Sequence, residues 1–276
     1  MSPILRTRLT LGSVLVAALV GIFLLDRGFG PWPGLLVLGV VSLVAQFEAA
    51  DLCARSGLRP RLLPGLLVGA VLLGAPGWGV EPLTLLVPAL VLYLCGEVLA
   101  GRPQDAPLRI AGTLLPLLVV AVMLGRLGVV RTTWADGWSW LVFLVAVCKA
   151  GDSAAFLVGT RIGRHKLVPA VSPNKSWEGA IAALLAGTAA GWAAVVWVFP
   201  EGGAPAMGVW LPAALLANVA GQFGDLVASL LKRAARAKDS GGLLPAFGGA
   251  LDMADSFLLA APVLETWLRI AGYHSG

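Results

Sequence analysis

Histidine and charge are what this chain has least of. Of its 276 residues only two are histidine, His165 and His274, and 13% are Asp, Glu, Lys or Arg. Three cysteines, Cys53, Cys95 and Cys148, are an odd number without metal-ligand spacing. Two of them sit inside apolar runs, where cysteine packs as a small hydrophobe. Zinc chemistry, which needs clustered His and Cys ligands, is therefore not expected. Aromatic side chains are not interleaved with basic ones, as a nucleic-acid surface requires. The net charge of +5 needs another explanation.

What the chain has in excess is apolar surface, at 58% hydrophobic residues. Runs close to twenty residues recur, long enough to cross a hydrocarbon core of about 30 Å. The composition predicts an all-α, polytopic transmembrane helical bundle forming one integral membrane domain over residues 1–276. Nine spans are expected, at roughly 9–25, 33–47, 62–78, 83–100, 110–130, 138–160, 178–199, 209–231 and 253–271. Proline and glycine punctuate the gaps, at Gly30-Pro31, Pro60, Pro103, Pro173, Pro205 and Pro245 among others. The first run continues to Leu25 without a small-residue cleavage site, so it is expected to remain as a helix.

Charge orients this stack. With the N-terminus cytoplasmic, one set of loops holds fifteen of the twenty Lys and Arg residues, and the other holds only Arg27, Arg126, Arg131 and Arg269. Such a bias places both basic C-terminal loops in the cytoplasm and accounts for the positive net charge.

The first five spans carry no functional signal. Glu48 and Asp51 lie at a cytoplasmic helix end, and Glu97, near another, is expected to snorkel to the interface. The sixth span differs, because Lys149 and Asp152 sit at membrane depth, where a lone charge costs roughly 2.5–3.5 kcal/mol. Spaced i,i+3, they form either a mutually satisfied structural pair or part of a wet cavity. The loop that follows is polar and basic from Gly163 to Gly179. Ser176 or Asn174 in it is a plausible N-cap, and a helix N-terminus is a natural anion seat.

The most charged stretch lies near the C-terminus. An apolar helix there releases Asp225, Ser229, Lys232 and Arg236 on one face, followed by Lys238 and Asp239. A glycine-rich turn leads to Asp252 and Asp255, again on one helical face. Carboxylates at the bilayer boundary opposite clustered cations suit a site for a metal ion and phosphates.

These residues also carry a family resemblance. Ser229-x-x-Lys232-Arg233, four residues, Lys238-Asp239, then Gly248-Gly249 and Asp252-x-x-Asp255 resemble the signature of the phosphatidate cytidylyltransferases. A second block is similar to the same family: Gly151-Asp152-Ser153-Ala154-Ala155-Phe156, Gly159 and Ser172-Pro173-x-Lys175-Ser176-x-Glu178-Gly179. The resemblance covers roughly residues 138–271, the catalytic spans and cytoplasmic loops, while 1–137 match only as apolar spans. It departs at Phe247, where the family usually has His, and at Met253, where it usually has Arg.

The resemblance implies a reaction: CTP plus phosphatidate gives CDP-diacylglycerol and pyrophosphate, in phospholipid biosynthesis, with Mg²⁺ as one ion or two. On that pattern Asp152, Lys232, Lys238 and Asp239 are catalytic. Ser172, Lys175, Ser229 and Arg233 bind substrate, and Asp225, Asp252 and Asp255 hold metal. The implied partners are CTP, phosphatidate or a similar lipid phosphate, and the bilayer, with no nucleic acid; a homodimer is left open. The implied location is the bacterial cytoplasmic membrane, with the active site facing the cytoplasm. Two rivals remain at this point. One is an enzyme acting on a prenyl or ether-lipid phosphate, and the other is a membrane transporter, for which intramembrane charges are also suited.

Overall fold

A computed structural model describes residues 21–22, 25–26, 29–200, 203–242 and 248–273. Residues 9–20 and 23–24 of the first expected span, the cations Arg6, Arg8 and Arg27, and the variant position Phe247 lie outside the described residues. The described helices are α1 (Trp32–Arg55), α2 (Leu62–Gly74, continued as a 3₁₀ turn over Ala75–Trp78), α3 (Pro82–Leu99) and α4 (Ala106–Pro116). A π-helical turn, Leu117–Val122, joins α4 to α5 (Met123–Thr133), where Pro116 has no N–H for the regular ladder. There follow α6 (Gly137–Ile162), α7 (Trp177–Trp197), α8 (Met207–Ala234), α9 (Ala250–Ala254) and α10 (Phe257–Ile270).

Among the described residues, six helices are long and apolar enough to cross a membrane: α1, α3, the α4–α5 rod, α6, α7 and α8. The all-α membrane architecture is as expected, but the described residues do not confirm a count of nine spans. The Leu62–Trp78 segment is shorter than the six. The expected last span, 253–271, is broken at Asp255-Ser256 into a five-residue and a fourteen-residue helix.

The residues form two compact units, Met1–Gly128 with Ala234–Ala254, and Val129–Arg233 with Asp255–Gly276. In the first unit α1 packs on α2, α4 and α9. Buried Gln46 donates from Nε2 to the Gly65 carbonyl at 2.8 Å, tying α1 to α2 without leaving that donor in hydrocarbon. The outer faces of these helices are apolar and exposed, as at Val87, Leu92, Val98 and Leu99 of α3.

The second unit is built on the packing of α6 against α7. The reason is legible along α7, where Gly179, Ala183, Gly187 and Gly191 recur every fourth residue and are all buried. Small residues at this spacing let two backbones approach closely in a solvent that offers no hydrophobic driving force. At Gly187 a Cβ would meet the Val147 carbonyl of α6 at 2.8 Å and run into Asn218 of α8. Between α6 and α7 the loop forms a small antiparallel hairpin, β1 (Lys166–Val168) with β2 (Ser172–Ser176), in the register Lys166 to Ser176 and Val168 to Ser172.

Candidate active site

The second unit gathers most of the expected site residues. β2 delivers Lys175 toward α8, where Nζ pairs with Asp225 Oδ2 at 2.7 Å and donates to the Gln222 carbonyl at 3.1 Å. Asp225 lies against Asp255, close enough for a hydrogen bond between the two carboxyl groups. One turn on in α8, the Ser229 hydroxyl is 3.5 Å from Asp225 Oδ1, and buried Lys232 adds its charge to the same carboxylate.

From α6, Asp152 reaches the same cluster through Ser256. The Ser256 hydroxyl, almost wholly buried, stands 2.9 Å from Asp152 Oδ2 and 3.2 Å from Asp255 Oδ1, and it can donate to only one of them at a time. The Ser256 backbone N–H donates to Asp255 Oδ1 at 2.7 Å. Lys149 is 3.4 Å from Asp152 Oδ2 and lies 5.0 Å from the centre of the Phe257 ring. The i,i+3 pair is therefore present, and one of its members also faces the Asp225–Asp255 cluster. Asp152, Asp225 and Asp255 balance Lys149, Lys175 and Lys232 in one polar centre.

The helix geometry that holds this centre is built from buried polar groups that the sequence did not single out. Asn218 Nδ2 lies 3.2 Å from the Val147 carbonyl and 3.1 Å from the Ala183 carbonyl. Gln222 Nε2 donates to Asn218 Oδ1 at 2.9 Å. One ladder thus pins α6, α7 and α8, and its signal in the sequence is a lone Asn and Gln inside an apolar run. Ser176 is the N-cap of α7, accepting from Gly179 N at 3.2 Å. Asn174 is exposed on β2. Ser172 opens β2, and Arg233 is exposed with Nε 3.4 Å from the Val171 carbonyl.

The first unit holds the remaining residues, Lys238, Asp239 and Asp252. Arg236 adopts a left-handed conformation (φ 55°) that ends α8 without glycine, and Lys238 and Asp239 follow, exposed on a bend. Asp252 Oδ2, which lies 2.8 Å from Ser240 Oγ, accepts from Ser240 N at 2.8 Å and Gly249 N at 3.0 Å. It closes the first turn of α9 in the manner of a capping-box acid. Gly248 beside it has φ +84°, and any Cβ there would sit 2.6 Å from the same Asp252 oxygen. Its glycine is required twice over.

Glu48 of α1 is the residue the sequence reading undervalued. It is 7% exposed, and its carboxylate accepts from Ala250 N at 3.1 Å and Leu251 N at 2.9 Å, with Ser240 Oγ 2.9 Å away and able to donate to it or to Asp252 but not to both at once. Glu48 supplies partners for the orphan N–H groups of α9 from another helix. Glu97 requires a correction as well. Rather than snorkelling to water it is 7% exposed, clamped between Arg61 and Arg109 Nε, the latter at 2.8 Å. Two guanidinium groups satisfy it better than the interface would.

Among the described residues no group of three or more His, Cys, Asp and Glu side chains stands ready to hold a metal ion. The Asp225–Asp255 pair nevertheless fits Mg²⁺, which binds through one or two carboxylates and completes its shell with water and substrate phosphate. Two abutting carboxylates also repel each other in the absence of a counter-charge.

A multi-pass membrane protein with clustered carboxylates and lysines at its polar centre has the apparatus of an enzyme that handles polyanionic substrates. The chain belongs to the cytidylyltransferase family, whose model matches residues 6–271, and it is accordingly a CTP-dependent nucleotidyltransferase. It is 31% identical over 278 residues to a phosphatidate cytidylyltransferase of Mycobacterium leprae, covering 95% of this chain and 85% of the relative. It is 42% identical over 130 residues to one of Brucella suis, 46% of each chain, and 37% identical over 138 residues to one of Staphylococcus aureus, 49% of this chain and 51% of the relative. The matched stretch thus spans about half the length of the last two.

Proposed function

We propose that this protein transfers the cytidylyl group of CTP to the phosphate of phosphatidate, forming CDP-diacylglycerol and releasing pyrophosphate. The observation that carries the reading is the Lys175–Asp225–Asp255 constellation in a chain of this family. A phosphate oxygen of the lipid attacks the α-phosphorus of CTP, and the bond from that phosphorus to the bridging oxygen of the β-phosphate breaks. Both reactants are anionic, so the barrier is dominated by repulsion and alignment.

Lys175 and Lys232 supply positive charge beside the reacting phosphates, with Arg233, Ser172 and Ser229 as further contacts. Lys238 and Asp239 are assigned to the reaction by the family pattern. Asp225 and Asp255 would hold Mg²⁺, which when bound neutralises phosphate charge and aligns the pyrophosphate leaving group. Asp152 holds Ser256 against Asp255 and keeps that carboxylate oriented. No protein base is needed, because a phosphate monoester with a second pKa of about 6 is already nucleophilic at neutral pH. Phe247 and Met253 therefore remove no essential proton carrier. The arginine bias supports an active site that opens to the cytoplasm, where CTP is found.

The test is CTP-dependent release of pyrophosphate by the purified full chain in uncharged detergent with Mg²⁺. Phosphatidate is expected to support turnover, and a polyprenyl phosphate is not. Turnover with the prenyl lipid alone would reassign the substrate, and no turnover with either would refute the reading.

A further inference from the structure

The first unit contains a cavity that the proposed chemistry does not use. It has a volume of about 480 Å³ and lies where α1 ends and α2 and α4 begin. Phe47, Ala50 and Leu62 form part of its apolar lining, and Arg59, Arg61, Arg102 and Arg109 its charged part. A cavity of this size accommodates a glycerophosphate headgroup.

Three of the four arginines, Arg59, Arg61 and Arg109, are held by ion pairs. The backbone N–H of Arg59 donates to the Leu108 carbonyl at 3.2 Å, and that of Arg61 to Thr113 Oγ1 at 2.8 Å, so the loop between α1 and α2 is tied to α4. Arg59 is paired with Asp105, while Arg61 and Arg109 share buried Glu97. Arg109 also donates from Nη2 to the Arg102 carbonyl at 2.6 Å. The ion pairs orient the guanidinium forks of Arg59, Arg61 and Arg109 before any ligand arrives, which reduces the entropy lost on binding. Five arginines here, counting Arg55 with its partner Asp51, face three carboxylates, Asp51, Glu97 and Asp105, which leaves a surplus of two positive charges. Arg102 is exposed and has no acidic partner among the described residues.

The cavity's apolar side distinguishes a lipid from a free phosphate. Phe47 and Leu62, which line it, are large apolar side chains left exposed, and Leu63 beside them is more exposed still. On α1, a helix long and apolar enough to span, exposed Phe47 faces acyl chains, and Leu62 and Leu63 continue that apolar surface. The end of the bundle that carries these arginines is also the one the charge bias assigns to the cytoplasmic leaflet, which is rich in anionic headgroups.

We propose that this cavity is a binding site for the headgroup phosphate of an anionic glycerophospholipid, with its acyl chains lying over Phe47, Leu62 and Leu63. The cavity's lining shares no residue with the Asp225–Asp255 centre, whichever lipid is turned over there. The lipid is a resident of the first unit, held by Arg59 and Arg102 at the mouth and by Arg61 and Arg109 behind them.

The experiment is a binding titration of the purified full chain, in uncharged detergent, with dioctanoyl phosphatidylglycerol, dioctanoyl phosphatidylcholine, inorganic phosphate and CTP. Phosphatidylglycerol is expected to bind saturably and phosphatidylcholine not to compete. Each exposed arginine near a membrane surface is worth about a fivefold change in affinity. Arg102→Gln should therefore weaken phosphatidylglycerol about fivefold, and Arg59→Gln with Arg102→Gln about 25-fold. Arg102→Gln breaks no ion pair with a described residue, so its thermal unfolding midpoint should match the wild type and keep the test valid if the double variant misfolds. Lys175→Met, in the other unit, should leave phosphatidylglycerol binding unchanged. Unaltered binding in Arg102→Gln, or loss of binding in Lys175→Met, overturns the proposal. Displacement of the lipid by inorganic phosphate or CTP at equal concentration overturns it in favour of a soluble-anion site.

Discussion

At the residue scale, the two carboxylates Glu48 and Asp252 share one task, and its consequences can be measured. Together they bind the N–H groups of Ser240, Gly249, Ala250 and Leu251, and the Ser240 hydroxyl stands between them, donating to one at a time. An amide in place of Glu48 turns an NH₂ toward at least one of those donors, and a buried donor left unpaired costs about 1–3 kcal/mol. Glu48→Gln is expected to lower the thermal midpoint and reduce kcat at least tenfold, with Glu48→Asp partly restoring both. Wild-type kcat in Glu48→Gln would show that the turn tolerates displacement. Asp252→Asn should lower stability as well as rate, since the same oxygen closes α9. If it is also a metal group, the Mg²⁺ concentration giving half-maximal turnover rises; an unchanged Mg²⁺ dependence confines Asp252 to the turn. Lys175→Met removes the cation paired directly with Asp225 and leaves Lys149 and Lys232 to offset the two abutting carboxylates. It should cost more than 100-fold in kcat/KM, or about 2.7 kcal/mol of transition-state stabilisation, with the protein still folded.

At the scale of elements, α7 shows how a membrane helix is specified by what it omits. Its Gly179, Ala183, Gly187 and Gly191 stripe admits α6 so closely that Gly187 has no space for a Cβ. Gly187→Leu should therefore force α6 and α7 apart and disturb the Asn218 ladder. The expected outcome is a loss of about 2–3 kcal/mol, read as a marked fall in the thermal aggregation midpoint. Ser176→Ala, which removes only the N-cap of the same helix, should cost about 1 kcal/mol. Equal effects from the two would mean that close packing is not what holds the pair.

For the whole molecule, the topology turns on segments that are neither clearly spans nor clearly loops. Six helices satisfy length and apolarity, and the Leu62–Trp78 and 250–270 segments fall short or are broken. A nine-span chain with its N-terminus inside places its C-terminus outside. A reporter fused after Gly276 decides the parity: a non-cytoplasmic signal fits the nine-span expectation, and a cytoplasmic one requires an even number of crossings. Turnover should stop when a chelator removes divalent metal and return with Mg²⁺. Activity that survives the chelator would leave Asp225 and Asp255 as charge partners of Lys175 alone.

The sequence by itself determined the solvent and the family. Apolar runs of spanning length dictate a helical membrane protein, because only helices and closed barrels satisfy backbone groups in lipid. The gapped pattern from Asp152 to Asp255 is long enough to mark a cytidylyltransferase, and Ser176 as N-cap is a local choice that needs no tertiary contact. Only the tertiary structure decided which charges meet. Lys175 lies 50 residues before Asp225, and Glu48 lies 202 residues before Ala250. Those pairings depend on helix rotation and on which end of each rod adjoins which, quantities to which local propensity is blind. The same holds for Glu97: its place near a helix end suggested an exposed charge, but burial between Arg61 and Arg109 follows from three separate elements converging. Span limits near Asp255 escaped the hydropathy pattern for a related reason. Ser256 and Asp255 bend the backbone to reach Asp152, and side-chain hydrogen bonds of that kind do not register in the apolar content of a run.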